Sequence, residues 1–334
     1  DTLGPYLETI TQMTGFEMAL PMNSGAEAVE TAIKSSRRWA YRTKKVEENK
    51  AEIIVAEGNF HGRTTTIISF STDENSRKDF GPHTPGFVAV EYGSSKAIED
   101  AITPNTAAVI IEPIQGEGGI IVPPDNYLNE VRAICTKHNV LMILDEIQSG
   151  LGRTGKLFAY QHSCGQCSCG ENLCEVQPDG LILGKALGGG FMPVSVFLSS
   201  EEVLGLMDTG SHGSTFGGNP LASALAKRSL ELLYEENLIE NSRVMGDYFK
   251  EQLTVLDSEL IVEIRGMGLW LGVEIDQKYI SGNELSKTLL EAGILCKETH
   301  ENTIRFAPPL VVTKEELDWG IEKIAKVFSE VTKS

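Results

Sequence analysis

No apolar run in this 334-residue chain approaches the ~20 residues that a membrane-crossing helix needs, and no secretory leader is visible. Positive charge is scarce. Against 47 Asp and Glu stand 29 Lys and Arg, for a net charge of −18. A nucleic-acid partner is not expected, because a phosphate backbone would be repelled. An anionic cofactor is not excluded, since backbone N–H groups and one or two basic residues suffice to bind it locally. Internal repeats and low-complexity tracts are missing, and the Gly-rich pieces are isolated turns. Cysteine is sparse at six residues, and four of them crowd into one short stretch, unlike a disulfide framework spread through a small secreted domain. The chain opens on Asp1 rather than Met, so a leader or further segment is expected to precede it, and cytoplasm is the default location.

What is present is an ordinary apolar share of 41% and a length that suggests two domains, at ~100–200 residues each. From about residue 51 to 196, short apolar runs alternate with amphipathic segments. Residues 53–56, 107–111, 140–144 and 181–183 are almost wholly apolar, which suits strands of a parallel sheet covered on both faces. Helical candidates such as 125–138 lie between them, so the pattern predicts an α/β fold. Residues 221–238 read as one long helix with Pro220 near its first turn. Strands at 261–264 and 269–275 and helices at 284–292 and 314–331 then predict a smaller α+β domain. The expected division is a large domain over 1–237, with a Cys-rich loop at 162–176, and a small domain over 238–334.

Several motifs carry chemistry. Lys185 stands in Gly184-Lys185-Ala186-Leu187-Gly188-Gly189-Gly190, directly after the run 181–183. Lysine is seldom buried unpaired, so this one either turns to solvent or is functional. A partly desolvated lysine forms a Schiff base readily with an aldehyde. Asp145 follows the run 140–144 and falls at a strand's C-terminal end, where α/β sheets place their sites. It can pair with a protonated pyridine nitrogen and keep the ring an electron sink, or simply cap a loop. Gln148 can reach the ring's phenolic oxygen.

Ser24, in Asn23-Ser24-Gly25-Ala26, is a predicted N-cap for a helix over 27–41. Free N–H groups at a helix start bind phosphate, although most such caps bind nothing. Ser214 and Thr215 offer two hydroxyls in a Gly-rich turn, either a second phosphate contact or a tight turn alone. In Phe60-His61-Gly62-Arg63, the aromatic ring can stack on a cofactor and Arg63 can take a substrate carboxylate bidentately; a core Phe beside a surface Arg is the plainer alternative.

These motifs occur in an order that resembles the class III, fold-type I aminotransferases, and within them the ornithine aminotransferases. The resemblance rests on Leu20-Pro21-Met22-Asn23-Ser24-Gly25-Ala26-Glu27-Ala28, Glu57-Gly58-Asn59-Phe60-His61-Gly62-Arg63-Thr64, Glu112-Pro113-Ile114-Gln115-Gly116-Glu117, Leu144-Asp145-Glu146-Ile147-Gln148-Ser149-Gly150, Gly184-Lys185-Ala186-Leu187, Gly213-Ser214-Thr215-Phe216-Gly217-Gly218-Asn219-Pro220 and Arg305-Phe306-Ala307-Pro308-Pro309-Leu310. It implies a mostly parallel central sheet with helices on both faces, a smaller C-terminal α+β domain, and pyridoxal 5′-phosphate as cofactor.

By that resemblance Lys185 carries the cofactor as a Schiff base, Asp145 pairs with the pyridine nitrogen, Gln148 contacts the phenolic oxygen and Phe60 stacks on the ring. Gly25 and Ala26 supply phosphate-binding amides beside Ser24. Thr215 with Ser214 reaches the phosphate of a neighbouring subunit, which implies a homodimer with shared active sites. Arg305 binds the α-carboxylate of glutamate, Glu117 neutralises Arg305 when ornithine is bound, and Arg63 holds ornithine's α-carboxylate. The implied reaction moves the δ-amino group of ornithine to 2-oxoglutarate, giving glutamate semialdehyde and glutamate.

Two departures from the family pattern stand out. The N-terminal segment that usually precedes the position of Asp1, and that helps form the substrate pocket, has no counterpart here. The stretch His162 to Cys174 looks inserted, and its Cys164, Cys167, Cys169 and Cys174 have spacing able to surround Zn²⁺ or hold an iron–sulfur cluster. Disulfides or free thiols are the alternatives. Cys135 and Cys296 read as buried apolar residues. Other functions compatible with the sequence are an acetylornithine, lysine or 4-aminobutyrate aminotransferase, an amino-acid racemase or aminomutase on the same scaffold, and a truncated cofactor- or metal-binding scaffold without turnover.

Overall fold

The structure is a computed structural model and describes residues 1–164, 175–256 and 258–333. The chain forms two compact units. The first comprises Asp1–Pro113, Pro123–Gln148 and Tyr160–Leu232; the second comprises Ile114–Val122, Ser149–Ala159 and Leu233–Ser334. Where the sequence places one boundary near residue 237, the second unit draws on three separate segments, because Ile114 and Ile120 bury their side chains with Ala159 and Trp270.

Among the described residues the first unit holds a seven-stranded sheet of β1 (Met18–Met22), β2 (Glu52–Ala56), β3 (Phe87–Val90), β4 (Thr106–Ile111), β5 (Leu141–Asp145), β6 (Gly180–Leu183) and β7 (Ser195–Ser199), in the order β1-β7-β6-β5-β4-β2-β3. Strands β3, β2, β4, β5 and β6 run parallel, while β7 is antiparallel to both its neighbours. All six residues of β4 and all five of β5 are buried, which is why these segments are continuous apolar runs rather than alternating ones. The helices are α1 (Leu3–Thr14), α2 (Gly25–Trp39), α3 (Glu74–Arg77), α4 (Ser95–Ala101), α5 (Tyr127–Lys137), α6 (Glu201–Leu204) and α7 (Pro220–Glu235). The buried face of α2, with Ala28, Val29, Ala32 and Ile33, joins Ile53, Val55, Ala108, Ile110, Ile143 and Ile182 from the sheet in one core. Each large aliphatic side chain buried there contributes ~1.5–3 kcal/mol.

The second unit has, among the described residues, an antiparallel sheet of β8 (Ile261–Met267), β9 (Trp270–Ile275), β10 (Lys297–Thr299) and β11 (Thr303–Phe306) in the order β10-β11-β9-β8. It is accompanied by α8 (Leu238–Thr254), α9 (Gly282–Glu291) and α10 (Lys314–Val331). Both α9 and α10 open on capping boxes, Ser281 with Glu284 and Thr313 with Glu316, each satisfying two otherwise orphaned N–H donors. The long helix predicted over 221–238 is α7, which ends at Glu235. Asn237 adopts a left-handed conformation at φ 53° and starts α8, a helix that the sequence reading leaves out. Gly246 within α8 is required by close packing, since a Cβ there would lie 2.1 Å from the carbonyl carbon of Gly268. No described helix is long and apolar enough to cross a membrane.

Candidate active site

In the first unit the predicted residues converge on the C-terminal edge of the parallel strands, the usual ligand edge of an α/β sheet. Asp145 ends β5, and Lys185 follows β6 by two residues. The pairing of Asp145 with Ile182 in the β5–β6 ladder puts both on the same edge. Glu112 follows β4, and the 60–63 loop follows β2.

The start of α2 is brought to this edge by close packing. A Cβ on Gly25 would strike Ile147 Cδ1 at 2.8 Å, and one on Gly184 would meet Ile147 Cγ2 at 3.4 Å. Ile147, two residues past Asp145, therefore touches both the first turn of α2 and the residue before Lys185. Gly62, at φ 129°, lies so near that a Cβ would be 2.9 Å from Ala26 Cβ. The Ser195 hydroxyl donates to the Ser24 carbonyl at 2.6 Å.

Ser24 caps α2 through a complete capping box with Glu27. Its hydroxyl is engaged with the Glu27 amide and carboxylate, each at 3.3 Å, so the cap itself occupies the side chain that the sequence assigned to cofactor binding. The amides of Gly25 and Ala26 open the helix ahead of the intrahelical ladder and point their partial positive charge outward. Ser214 joins the same corner, accepting from Asn23 Nδ2 at 2.8 Å, while Thr215 is exposed.

Asp145 is enclosed at this edge. Its side chain is 4% exposed, and Oδ2 lies 2.7 Å from Nδ1 of the wholly buried His61. Oδ1 accepts the Ile147 amide at 3.0 Å. Gln148 is half-buried next along the turn. Phe60 is half-buried, its amide donates to Glu112 Oε2 at 3.0 Å, and the Arg63 guanidinium stands 5.8 Å above its ring. Arg63 itself is exposed.

Lys185 differs from expectation in one respect. It is exposed in the single chain rather than partly desolvated. Its backbone is left-handed, φ 44°, a region that disfavours a Cβ and is held at functional turns by the surrounding fold. His61, Glu112 and Asn23 make side-chain hydrogen bonds at this edge; the sequence reading quoted them within motifs without giving them a role. The only signal available was three polar residues next to buried strands or a helix start.

In the second unit Glu117 and Arg305 meet. Arg305 Nη1 donates to Glu117 Oε1 at 2.6 Å, and Lys297 Nζ lies 3.3 Å from Oε2. Burial works to raise the Glu117 carboxyl, but the hydrogen bond and charge of Arg305, aided by Lys297, outweigh it and bring the pKa down to about 2. The Glu117 carbonyl accepts from Thr299 on β10 at 2.6 Å. Arg153, absent from the sequence reading, donates to the carbonyls of Leu269 (3.0 Å) and Pro308 (2.6 Å) and so braces the strand-end segment after Arg305. Burial lowers its pKa to about 10.

The metal expectation is corrected at Cys164, which is disulfide-bonded and so lacks the thiolate that would bind Zn²⁺ or an iron–sulfur cluster. Cys167, Cys169 and Cys174 lie outside the described residues. Among the described residues no group of three His, Cys, Asp or Glu is placed to hold a metal ion. Cys135 is a buried free thiol and Cys296 a half-buried one.

The residues of the first unit fit pyridoxal phosphate on their own chemistry. They offer a carboxylate shielded from water for a ring nitrogen, a helix start whose glycine permits close approach for a phosphate, and a primary amine on the neighbouring strand end.

Comparison with known proteins agrees. The class-III aminotransferase family model matches residues 1–328. The ornithine aminotransferase of Brevibacillus brevis is 53% identical over 328 residues, covering 98% of this chain and 79% of that protein. The crystal structure of the ornithine aminotransferase from Toxoplasma gondii ME49 superposes with a TM-score of 0.95 at 42% identity, covering 100% of this chain and 77% of that one. The acetylornithine aminotransferase from Elizabethkingia anophelis gives a TM-score of 0.85 at 41% identity, covering 99% and 79%. A family model matched over residues 1–328 and relatives about half identical over nearly the whole chain make this chain a member of the class-III aminotransferases, enzymes that depend on pyridoxal phosphate and act on amino and oxo acids.

Proposed function

We propose that the chain transfers the δ-amino group of ornithine to 2-oxoglutarate, giving glutamate semialdehyde and glutamate. The observation that carries this reading is the Glu117–Arg305 ion pair. An arginine that binds the α-carboxylate of glutamate must be silenced when the donor brings no carboxylate to it. Ornithine, entering by its δ-amino end, is such a donor, and Glu117 supplies the missing negative charge. The naming of the Brevibacillus and Toxoplasma proteins as ornithine aminotransferases points the same way.

The bound cofactor supplies an aldehyde to take up the amino group and a ring to delocalise the electron pair left on the substrate carbon. Lys185 holds it covalently and, once displaced by the substrate, moves a proton from the substrate carbon as general base and returns it as general acid. Asp145 keeps the ring nitrogen protonated, Gln148 donates to the phenolic oxygen, and Phe60 covers one face. The Gly25 and Ala26 amides hold the phosphate, assisted from a second copy of the chain by Ser214 and Thr215. Arg63 takes the α-carboxylate of ornithine. Phe191, 86% exposed, and Phe216, 68% exposed, support a homodimer, since aromatic rings of this size are seldom left in water. We place the reaction in the cytoplasm, where its small charged substrates are dissolved.

The alternative favoured by a specific likeness is acetylornithine as donor, given the Elizabethkingia structure. A rapid-mixing half-reaction decides between them: the loaded enzyme is offered ornithine, acetylornithine, lysine and 4-aminobutyrate in turn, and loss of the cofactor's visible absorbance is followed. Ornithine is expected to act at least tenfold faster than the rest. A faster acetylornithine reaction overturns the ornithine assignment, and a visible band unchanged in Lys185→Ala overturns the role of Lys185.

A further inference from the structure

We infer that His61 is a positioning residue for Asp145, orienting the carboxylate that faces the ring nitrogen so that affinity for the cofactor depends on an N–H at the Nδ1 position. The inference rests on the reading of Asp145 as the ring-nitrogen partner and deepens it.

The geometry leaves the imidazole little else to do. Its side chain is fully buried, Nδ1 is 2.7 Å from Asp145 Oδ2, and Nε2 is buried without a hydrogen-bond partner among the described residues. A buried polar atom left unpaired costs ~1–3 kcal/mol, so a fold that tolerates it gains something elsewhere. What it gains is a fixed carboxylate. Oδ2 receives the imidazole, Oδ1 receives the Ile147 amide at 3.0 Å, and with one donor on each oxygen the carboxylate plane cannot rotate without breaking a bond. The remaining lone pairs keep a single orientation toward the strand edge where Lys185 follows β6.

Asp145, Glu112 and Phe70 are neighbours of His61. Asp145 faces it from the end of β5. Glu112 adds negative charge from the end of β4 and fixes the preceding residue by accepting the Phe60 amide at 3.0 Å. Phe70 packs against the ring at a centroid distance of 6.0 Å. Burial disfavours the imidazolium, yet the Asp145 hydrogen bond and the charges of Asp145 and Glu112 outweigh it and raise the His61 pKa above its ordinary value. Protonated or neutral with hydrogen on Nδ1, the ring remains a donor to Asp145.

The test compares two amides. In His61→Asn the side-chain NH₂ falls near Nδ1 and can still donate to Asp145; in His61→Gln it reaches the Nε2 position and cannot. Each variant, together with Asp145→Ala, is prepared as apo-protein. Dissociation constants are measured by fluorescence for pyridoxal phosphate and for its analogue with carbon in place of the ring nitrogen. Expected is a roughly tenfold weaker pyridoxal phosphate affinity for His61→Gln, the usual worth of one buried hydrogen bond to a charged group. Wild-type affinity within about threefold is expected for His61→Asn. The ring-carbon analogue should bind all three proteins alike, because it has no nitrogen for Asp145 to meet. Asn and Gln variants that behave the same, in either direction, overturn the role of His61. Should Asp145→Ala still prefer pyridoxal phosphate over the ring-carbon analogue as strongly as the wild type does, the ring-nitrogen reading of Asp145 falls, and the two failures are told apart. Thermal midpoints of the apo-proteins separate a general loss of structure, which would weaken both ligands equally.

Discussion

Two carboxylates, one in each unit, meet basic side chains in opposite ways. Asp145 is held by a histidine with no exposed surface, whereas Glu117 is 25% exposed and shares itself between Arg305, 16% exposed, and Lys297, 60% exposed. A pair sealed from water is costly to break, because the abandoned partner stays buried and uncompensated. A pair at the rim loses little when opened, since water takes over. The first arrangement suits a group that must never move. The second suits one that must give way each time a substrate carboxylate arrives.

Asp145→Ala should break the contrast most severely. It strands His61 without its partner and removes the ring-nitrogen contact, so turnover is expected to fall by at least about a thousandfold. The apo-protein should lose ~3–5 kcal/mol in urea unfolding. A loss under about 1 kcal/mol would show that the sealed pair is no different from the open one.

Glu117→Ala is expected to lower kcat/KM for ornithine by about 10–100-fold, because Arg305 is left charged against a donor that cannot neutralise it. The glutamate half-reaction should change by less than about threefold, Arg305 being the group that glutamate needs. Equal losses with both substrates would make the pair a structural brace and not a gate.

Acid should reveal the open pair in Glu117 stability. The folded-state pKa is lowered to about 2 from an ordinary 4.5. The ionised pair therefore stabilises fully above about pH 4.5 and is lost as pH falls from there toward 2. With solvent screening the expected contribution is about 1 kcal/mol. Thermal midpoints of wild type and Glu117→Gln, compared between pH 6 and pH 3, should converge as the pH drops.

The smallest effect should come from Lys297→Ala, which removes the exposed cation and leaves Arg305 in place. Less than a threefold change in KM for 2-oxoglutarate is expected; a change comparable to that of Glu117→Ala would move the gate to Lys297.

The sequence yields those features that neighbouring residues determine. α10 occupies Lys314–Val331, the predicted range, because Thr313 and Glu316 complete a capping box and the apolar period is unbroken. Strands β2, β4, β5 and β6 are legible as buried apolar runs. The α/β class and the dependence on pyridoxal phosphate follow from motifs, and the family model and the relatives support both. Contacts between distant positions are what escaped. Nothing local announces that Asn237 turns left-handed and starts a further helix, that Lys185 is exposed, or that His61 meets a carboxylate 84 residues away. Nor does Ser24 reveal that Glu27 already claims its hydroxyl.

The patchwork composition of the second unit has a consequence for synthesis on the ribosome. Ile114 and Ile120 leave the exit tunnel roughly 150 residues before Trp270, the bulky neighbour that finally covers them. At ~5–20 residues per second, that is an interval of many seconds in which these two isoleucines lack their largest neighbour. A nascent polypeptide in this condition is a natural client for a holding chaperone, and slowing elongation between codons 123 and 270 would lengthen its exposure to aggregation.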